Sequence, residues 1–274
     1  MPATLNLDYS LLTPEFCLAA LAALIVGLDL FVPGFRKEWL PFVAAGALIG
    51  IAGMSFGWVN VESNFAGLIF VDNYTTFFRV FFILTTAAVV LMSAQFVQAR
   101  LRHPGEYYGL LVLSTIGAIY MAASRELLTA YISLELLSFS LYALVSYAKF
   151  DGKSNEGGMK YMLLGAFASA LFLYGLSLIY GTAGSTFYAD IAASYANGTG
   201  DFTLGLLMGL VLVLAGLGFK VAAVPFHMWT PTPTRAPRCR SPRTSPPRPR
   251  RPASRCCCAS SPAPSSACAT TGSG

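Results

Sequence analysis

Charge is what this sequence has least of. Asp, Glu, Lys and Arg make up 11% of its 274 residues, against about 25% in a soluble domain. Five of its six cysteines crowd beyond residue 231, and only Cys17 lies in the apolar body. That excludes a disulfide framework and a cysteine metal site. No glycine-rich loop follows a strand, and no pair of haem ligands is present. The chain therefore offers no redox, hydrolytic or cofactor-binding centre, and any energy source must act from a partner. The net charge of +5 arises in residues 232–274, which carry arginines and no acid. It gives no reason to expect a nucleic-acid partner. The N-terminus lacks a basic region and a small-residue cleavage site, so the first apolar run reads as a retained span.

What is there instead is apolar length. Hydrophobic residues make up 55% of the chain and mean hydropathy is +0.60. A bilayer span takes about 20 such residues. Runs at Phe16–Val32, Leu40–Trp58, Thr75–Val97, Tyr107–Ala123, Leu127–Ala148, Met159–Tyr180 and Leu204–Trp229 fit that length. In lipid every backbone group needs an internal partner, and no alternating pattern suggests a barrel. The expected fold is all-α, a polytopic transmembrane bundle of about seven spans. Gly152, Gly157 and Gly158 predict a tight loop, and Ala183–Asp201 a longer one. Trp58 and Trp229 at span ends fit an aromatic belt.

The basic residues segregate. Arg36, Lys37, Arg100, Arg102, Lys149 and Lys153 fall in alternate loops, while Glu62, Asp72, Asp190 and Asp201 surround Arg125 on the other side. The positive-inside rule then places the N-terminus outside a cell inner (plasma) membrane.

Few charges interrupt the spans. Lys220 lies deep in the seventh, where a lysine costs about 3 kcal/mol even on a lenient insertion scale. Five residues on, Pro225 removes a backbone donor and must kink or break the helix. Glu135 stands about eight residues into span five, roughly 12 Å deep at 1.5 Å per residue. Buried ionisable groups of this kind mark ion paths, although a packing carboxyl bonded to a Ser or Tyr, or a structural ion pair, is the plainer reading. Lys160 opens span six four residues after Glu156, which suits either a surface Glu–Lys pair or a path residue. His227, beyond the Pro225 break, is placed either as an interfacial hydrogen-bonding residue or as a link between a buried lysine and water. Glu15, Asp29, Arg79, Arg125 and Glu126 sit at span ends and read as solvated or snorkelling charges.

These motifs resemble a known family. Gly218-Phe219-Lys220, Pro225-Phe226-His227 and Trp229-Thr230-Pro231 are similar to the span-seven signature of the antiporter-like membrane subunits of respiratory complex I, with Thr230 favouring its subunit N branch. Ser124-Arg125-Glu126-Leu127-Leu128, the run around Glu135, Glu156-Gly157-Gly158-Met159-Lys160 and Gly105-Glu106-Tyr107-Tyr108 resemble it as well. The likeness covers about residues 10 to 231. It implies the first half of a fold with two inverted repeats. It also implies a proton relay of Glu135, Lys160, Lys220 and His227, coupled to electron transfer from NADH to quinone. NADH, FMN, iron–sulfur clusters and quinone would sit in other subunits, with a neighbouring antiporter-like subunit, small membrane subunits and lipid as partners. A subunit of a multi-subunit cation/proton antiporter, or a non-transporting membrane scaffold, remains the alternative.

From residue 232 the composition changes to Pro, Arg, Ser, Ala and Cys. Residues 232–274 read as a disordered tail appended to a transmembrane domain over residues 1–231. With permitted codons for Thr230–Arg240 and one G added after the second, the frame reads Thr-Pro-Asp-Ala-Tyr-Glu-Gly-Ala-Pro, which the resembled family carries at this point. The tail is therefore expected to be an out-of-frame translation. A downstream alternative frame without apolar runs would contradict this.

Overall fold

The computed structural model describes residues 9–31, 39–59, 63–65, 67–100, 103–148, 152–196 and 204–224. After a short 3-10 turn, eight helices follow: α1 (Thr13–Phe31), α2 (Leu40–Ser55), α3 (Asn73–Arg100), α4 (Pro104–Ala123), α5 (Leu127–Val145), α6 (Gly152–Ala183), α7 (Tyr188–Ala196) and α8 (Leu204–Lys220). A two-stranded antiparallel hairpin, β1 (Ser63–Phe65) and β2 (Ile69–Val71), joins α2 to α3, with Ser63 opposite Val71. Six helices, α1 to α6, are long and apolar enough to cross a membrane, and α8 is a shorter apolar helix.

Large apolar side chains face outward all around the bundle. Phe31 is 79% exposed and Met92 83%, an arrangement suited to hydrocarbon. The closely packed interior lies among α1 to α4, around Leu18, Leu48, Ile83, Val90, Tyr108 and Val112. α4 packs on α1, α3 and α5, and α6 bridges α5 to α8. Small residues permit the tight crossings, as expected where lipid leaves no hydrophobic drive between helices. A Cβ at Gly117 would stand 2.8 Å from the Leu137 backbone nitrogen, so α4 and α5 meet backbone to backbone.

Among α1 to α7, the structure departs from or adds to the sequence reading in four places. Gly152, Gly157 and Gly158 lie inside α6, not in a tight loop. At Gly158 the missing side chain serves close approach, since a Cβ there would come within 2.5 Å of the Ser146 Cβ, whereas a Cβ at Gly152 would meet open space. Ser154 Oγ adds a 2.7 Å bond to the Val145 carbonyl, which caps the end of α5. The long loop from Ala183 contains α7. The hairpin went unforeseen because its strands are three residues each. It is held by neighbours: Ile69 bridges Ser124, the Arg125 N–H donates to the Leu68 carbonyl, and the Arg125 guanidinium lies 3.5 Å from the Phe70 ring centroid. The same α4–α5 connection bridges Glu126 to Phe187 before α7. One end of the bundle is thereby tied across three connections.

The fourth change concerns the span-end charges. Glu15 and Arg79 are not solvated. They form an ion pair between α1 and α3 with Nη2 2.6 Å from Oε1, and their side chains are 2% and 1% exposed. Asp29, at the end of α1, accepts a 3.0 Å bond from the Gly105 N–H. There a carboxylate caps the positive N-terminus of α4. Near the same end, the Tyr147 hydroxyl bonds the His103 carbonyl and the Glu106 carboxylate. Burial, with the Glu106 carboxylate beside it, raises the Tyr147 phenol above its ordinary range.

A buried lysine cradle between α5, α6 and α8

Glu135, Ser138 and Tyr142 stand three and four residues apart on α5 and so share one face of the helix. α6 presents Ser169 and Gly165 to that face, and α8 brings Lys220 as its last residue. The Lys220 ammonium meets three oxygens: Ser138 Oγ at 2.6 Å, Tyr142 Oη at 3.2 Å and Glu135 Oε1 at 3.4 Å. An ammonium has three N–H groups, so this set can use them all. The Lys220 and Glu135 side chains are only 13% and 15% exposed. At that depth an unpaired charge would be costly.

The hydroxyls have assigned directions. Ser138 Oγ donates to the Leu134 carbonyl at 2.7 Å, which leaves its lone pair for the lysine. Ser169 Oγ donates to Glu135 Oε1 at 2.6 Å, the same oxygen that faces Lys220. Aromatic rings wall the cluster: Tyr142 meets Tyr161 edge-on at 4.6 Å, and Tyr131 stacks on Phe172 at 5.7 Å. Gly165 is required here, since a Cβ would overlap the Tyr142 hydroxyl.

Backbone geometry fixes where the lysine stands. α8 ends at Lys220, so the seventh span expected to run to Trp229 breaks well before it. Ala222 takes a left-handed φ of 56°. Its N–H bonds the Phe219 carbonyl, and the Ala223 N–H bonds the Gly218 carbonyl. This is a Schellman cap with alanine where glycine usually stands. Pro225 and His227 lie outside the described residues.

Of the four expected site residues, the structure brings Glu135 and Lys220 together. Lys160 is 52% exposed and bonded to Glu156 on the surface of α6. Nine residues separate it from Ser169, which at 3.6 residues per turn puts it on roughly the opposite side of the helix. Ser138, Tyr142 and Ser169 were missed as site residues. The helical spacing from Glu135 carried a signal for the first two, whereas nothing near Ser169 in sequence marks it. The buried Glu15–Arg79 pair is a second polar locus. Glu15 Oε2, Arg79 Nε and Nη1 and, one turn away, Thr76 Oγ1 have no hydrogen-bond partner among the described residues.

The chain as a whole is similar to known membrane proteins. Residues 124–241 match the family described as NADH:quinone oxidoreductase/Mrp antiporter, TM. The chain is 40% identical over 232 residues to NADH-quinone oxidoreductase subunit N of Trichlorobacter lovleyi, covering 83% of this chain and 47% of that protein. It is 40% identical over 230 residues to NAD(P)H-quinone oxidoreductase subunit 2 of Gloeothece citriformis, covering 82% and 45%. Among solved structures, respiratory complex I from Thermus thermophilus contains a chain 29% identical with a TM-score of 0.63, covering 80% of this chain and 46% of that one. An archaeal membrane-bound sulfane sulfur reductase shares the fold, with a TM-score of 0.64 at 24% identity over 82% and 47% of the two chains. The chain thus spans about half the length of the relatives it matches.

Proposed function

We propose that this chain, which belongs to the antiporter-like membrane subunit family of complex I that includes subunit N, moves protons through Glu135 and Lys220 as part of an NADH:quinone oxidoreductase. The observation that carries the reading is the largely buried lysine at a broken helix end, facing a carboxylate and two hydroxyls. A group so placed holds or releases a proton according to how closely the carboxylate approaches. Lys160 and His227 belong to the same proposal, reached through water or through chain outside the described residues. The relay itself needs no cofactor. NADH, FMN, iron–sulfur clusters and quinone act in other subunits, and the partners are neighbouring antiporter-like and small membrane subunits.

The test uses the full-length subunit in its assembled complex. Glu135→Gln and Lys220→Ala are each expected to lower proton translocation and the coupled NADH oxidation at least tenfold, with the complex still formed. Normal pumping at normal yield in both variants would sink the assignment. A second reading, a subunit of a cation/proton antiporter, draws on the wording of the matched family, which spans both classes. Co-purification decides between them: NADH-oxidising subunits favour the first, and their absence the second.

Orientation follows from the segregated basic residues, with the hairpin end outside the cell. Single cysteines at Ser154 and Ser185 test this with a membrane-impermeant thiol reagent. Ser185 should label from outside and Ser154 only after permeabilisation. The reverse pattern would invert the topology.

A further inference from the structure

The lysine is not seated on its carboxylate. At 3.4 Å, Lys220 Nζ stands well beyond the 2.7–2.9 Å of a tight ammonium–carboxylate bond. Its shortest contact is Ser138 Oγ at 2.6 Å. We propose that Ser138 and Tyr142 are positioning residues that hold the Lys220 ammonium at the edge of Glu135's reach, so that the ion pair can open and close without either charge losing all its partners. The proposal rests on the relay reading above and adds to it the groups that set the distance.

Three observations support it independently. The Ser138 hydrogen is committed to the Leu134 carbonyl, which fixes the hydroxyl as an acceptor for the lysine. Tyr142, two helical turns from Glu135, supplies the third acceptor, and its hydroxyl fits only because residue 165 has no side chain. Ser169 occupies Glu135 Oε1 from α6 at 2.6 Å, so the carboxylate stays partnered when the lysine leans away. A simple structural ion pair needs none of this. It would be favoured by the shortest carboxylate contact and would gain nothing from a competing donor on the same oxygen.

Both charges are thus solvated by protein hydroxyls in place of water. In that setting the difference between paired and parked lysine is small, and a modest movement of α8 or of the carboxylate tips it. The proton that moves belongs to the lysine, and the hydroxyls only place the ammonium without taking the proton themselves.

The experiment compares Ser138→Ala, Ser138→Thr, Tyr142→Phe and Glu135→Gln in the full-length subunit within the assembled complex. It measures complex yield and proton translocation in sealed vesicles. A hydrogen bond to a charged group is worth enough to change a rate by about tenfold. Ser138→Ala and Tyr142→Phe should therefore pump about tenfold more slowly at normal yield, while Ser138→Thr, which keeps the hydroxyl, stays within about twofold of the parent. Combined with Glu135→Gln, Ser138→Ala should add little, because there is no ion pair left to adjust. If Ser138→Ala and Tyr142→Phe pump normally while Glu135→Gln does not, the positioning role is overturned and the relay stands. If Glu135→Gln also pumps normally, the relay reading fails with it. Equal impairment of Ser138→Ala and Ser138→Thr, or loss of complex in Ser138→Ala, would show a packing role and overturn the proposal.

Discussion

Arg79→Met should remove most of the subunit from the assembled complex. The Arg79–Glu15 pair is almost fully enclosed, at 1% and 2% side-chain exposure. Removing one partner leaves the other charge buried and uncompensated, which costs about 3–5 kcal/mol. Whole-domain stabilities are commonly only about 5–15 kcal/mol. The pair joins α1 to α3, so the loss falls on the packed α1–α4 core. The double variant Glu15→Met with Arg79→Met carries the larger claim. Replacing a buried pair by apolar groups is often neutral or stabilising, and four polar atoms at this locus have no hydrogen-bond partner among the described residues. The double variant should therefore recover much of the yield that the single one loses. Membrane-extracted complex yield and thermal inactivation read the outcome. A single variant with full yield, or a double variant no better than the single, would show that the pair is not the clasp described here.

Gly216→Val is expected to be nearly as damaging, and for a different reason. Any Cβ at this position would lie 2.6 Å from the Phe172 Cβ and 3.1 Å from the Ala168 carbonyl oxygen. Part of that obstacle is backbone and cannot rotate aside. Overpacking of this kind costs about 1–3 kcal/mol where relief is available, and here relief means pushing α8 off α6. Gly216 stands one turn before Lys220, so the displacement is delivered directly to the lysine. Translocation should fall at least as far as in Ser138→Ala. Leu214→Val, on the 66% exposed outer side of α8, provides the control and should behave as the parent. Normal pumping in Gly216→Val would mean that the close crossing does not set the lysine's position.

Much of the architecture was legible because the apolar runs are long and interrupted by few charges. The six long spans and the depth of Glu135 and Lys220 follow from hydropathy and from 1.5 Å per residue alone. The glycines near residue 158 misled because the same residue serves a turn or a close helix crossing, and only the neighbour, Ser146, decides which. Glu15 and Arg79 misled for a related reason. A charge near a span end is normally wet, and a partner 64 residues away on another helix leaves no local trace. Asp29 conceals itself in the same way, with its target N–H beyond a separate helix. The lysine cradle was half visible. Ser138 and Tyr142 follow Glu135 at helical spacing, whereas Ser169 and the glycine that admits the Tyr142 hydroxyl come from α6. Lys160 and His227 were each open from the residues between a surface or interfacial role and a path role, and the family resemblance tipped both toward the relay. The described structure leaves the first on the surface of α6, and the second lies beyond it.

The alanine in the cap of α8 has a thermodynamic consequence. A left-handed conformation costs an L-residue with a Cβ about 1–2 kcal/mol, so the chain just after Lys220 is not at its own local minimum. Two backbone bonds and the three oxygens around the ammonium hold it there. Side-chain occupancy and main-chain shape are then two sides of one equilibrium. Whatever draws the ammonium out of its seat also lowers the cost of unwinding the cap, and whatever reshapes the cap alters the lysine's seat by the same free energy. A glycine at residue 222 would relieve the strain and favour the closed cap whether or not the ammonium is seated. The alanine makes the end of α8 a spring, loaded by the same charge it carries.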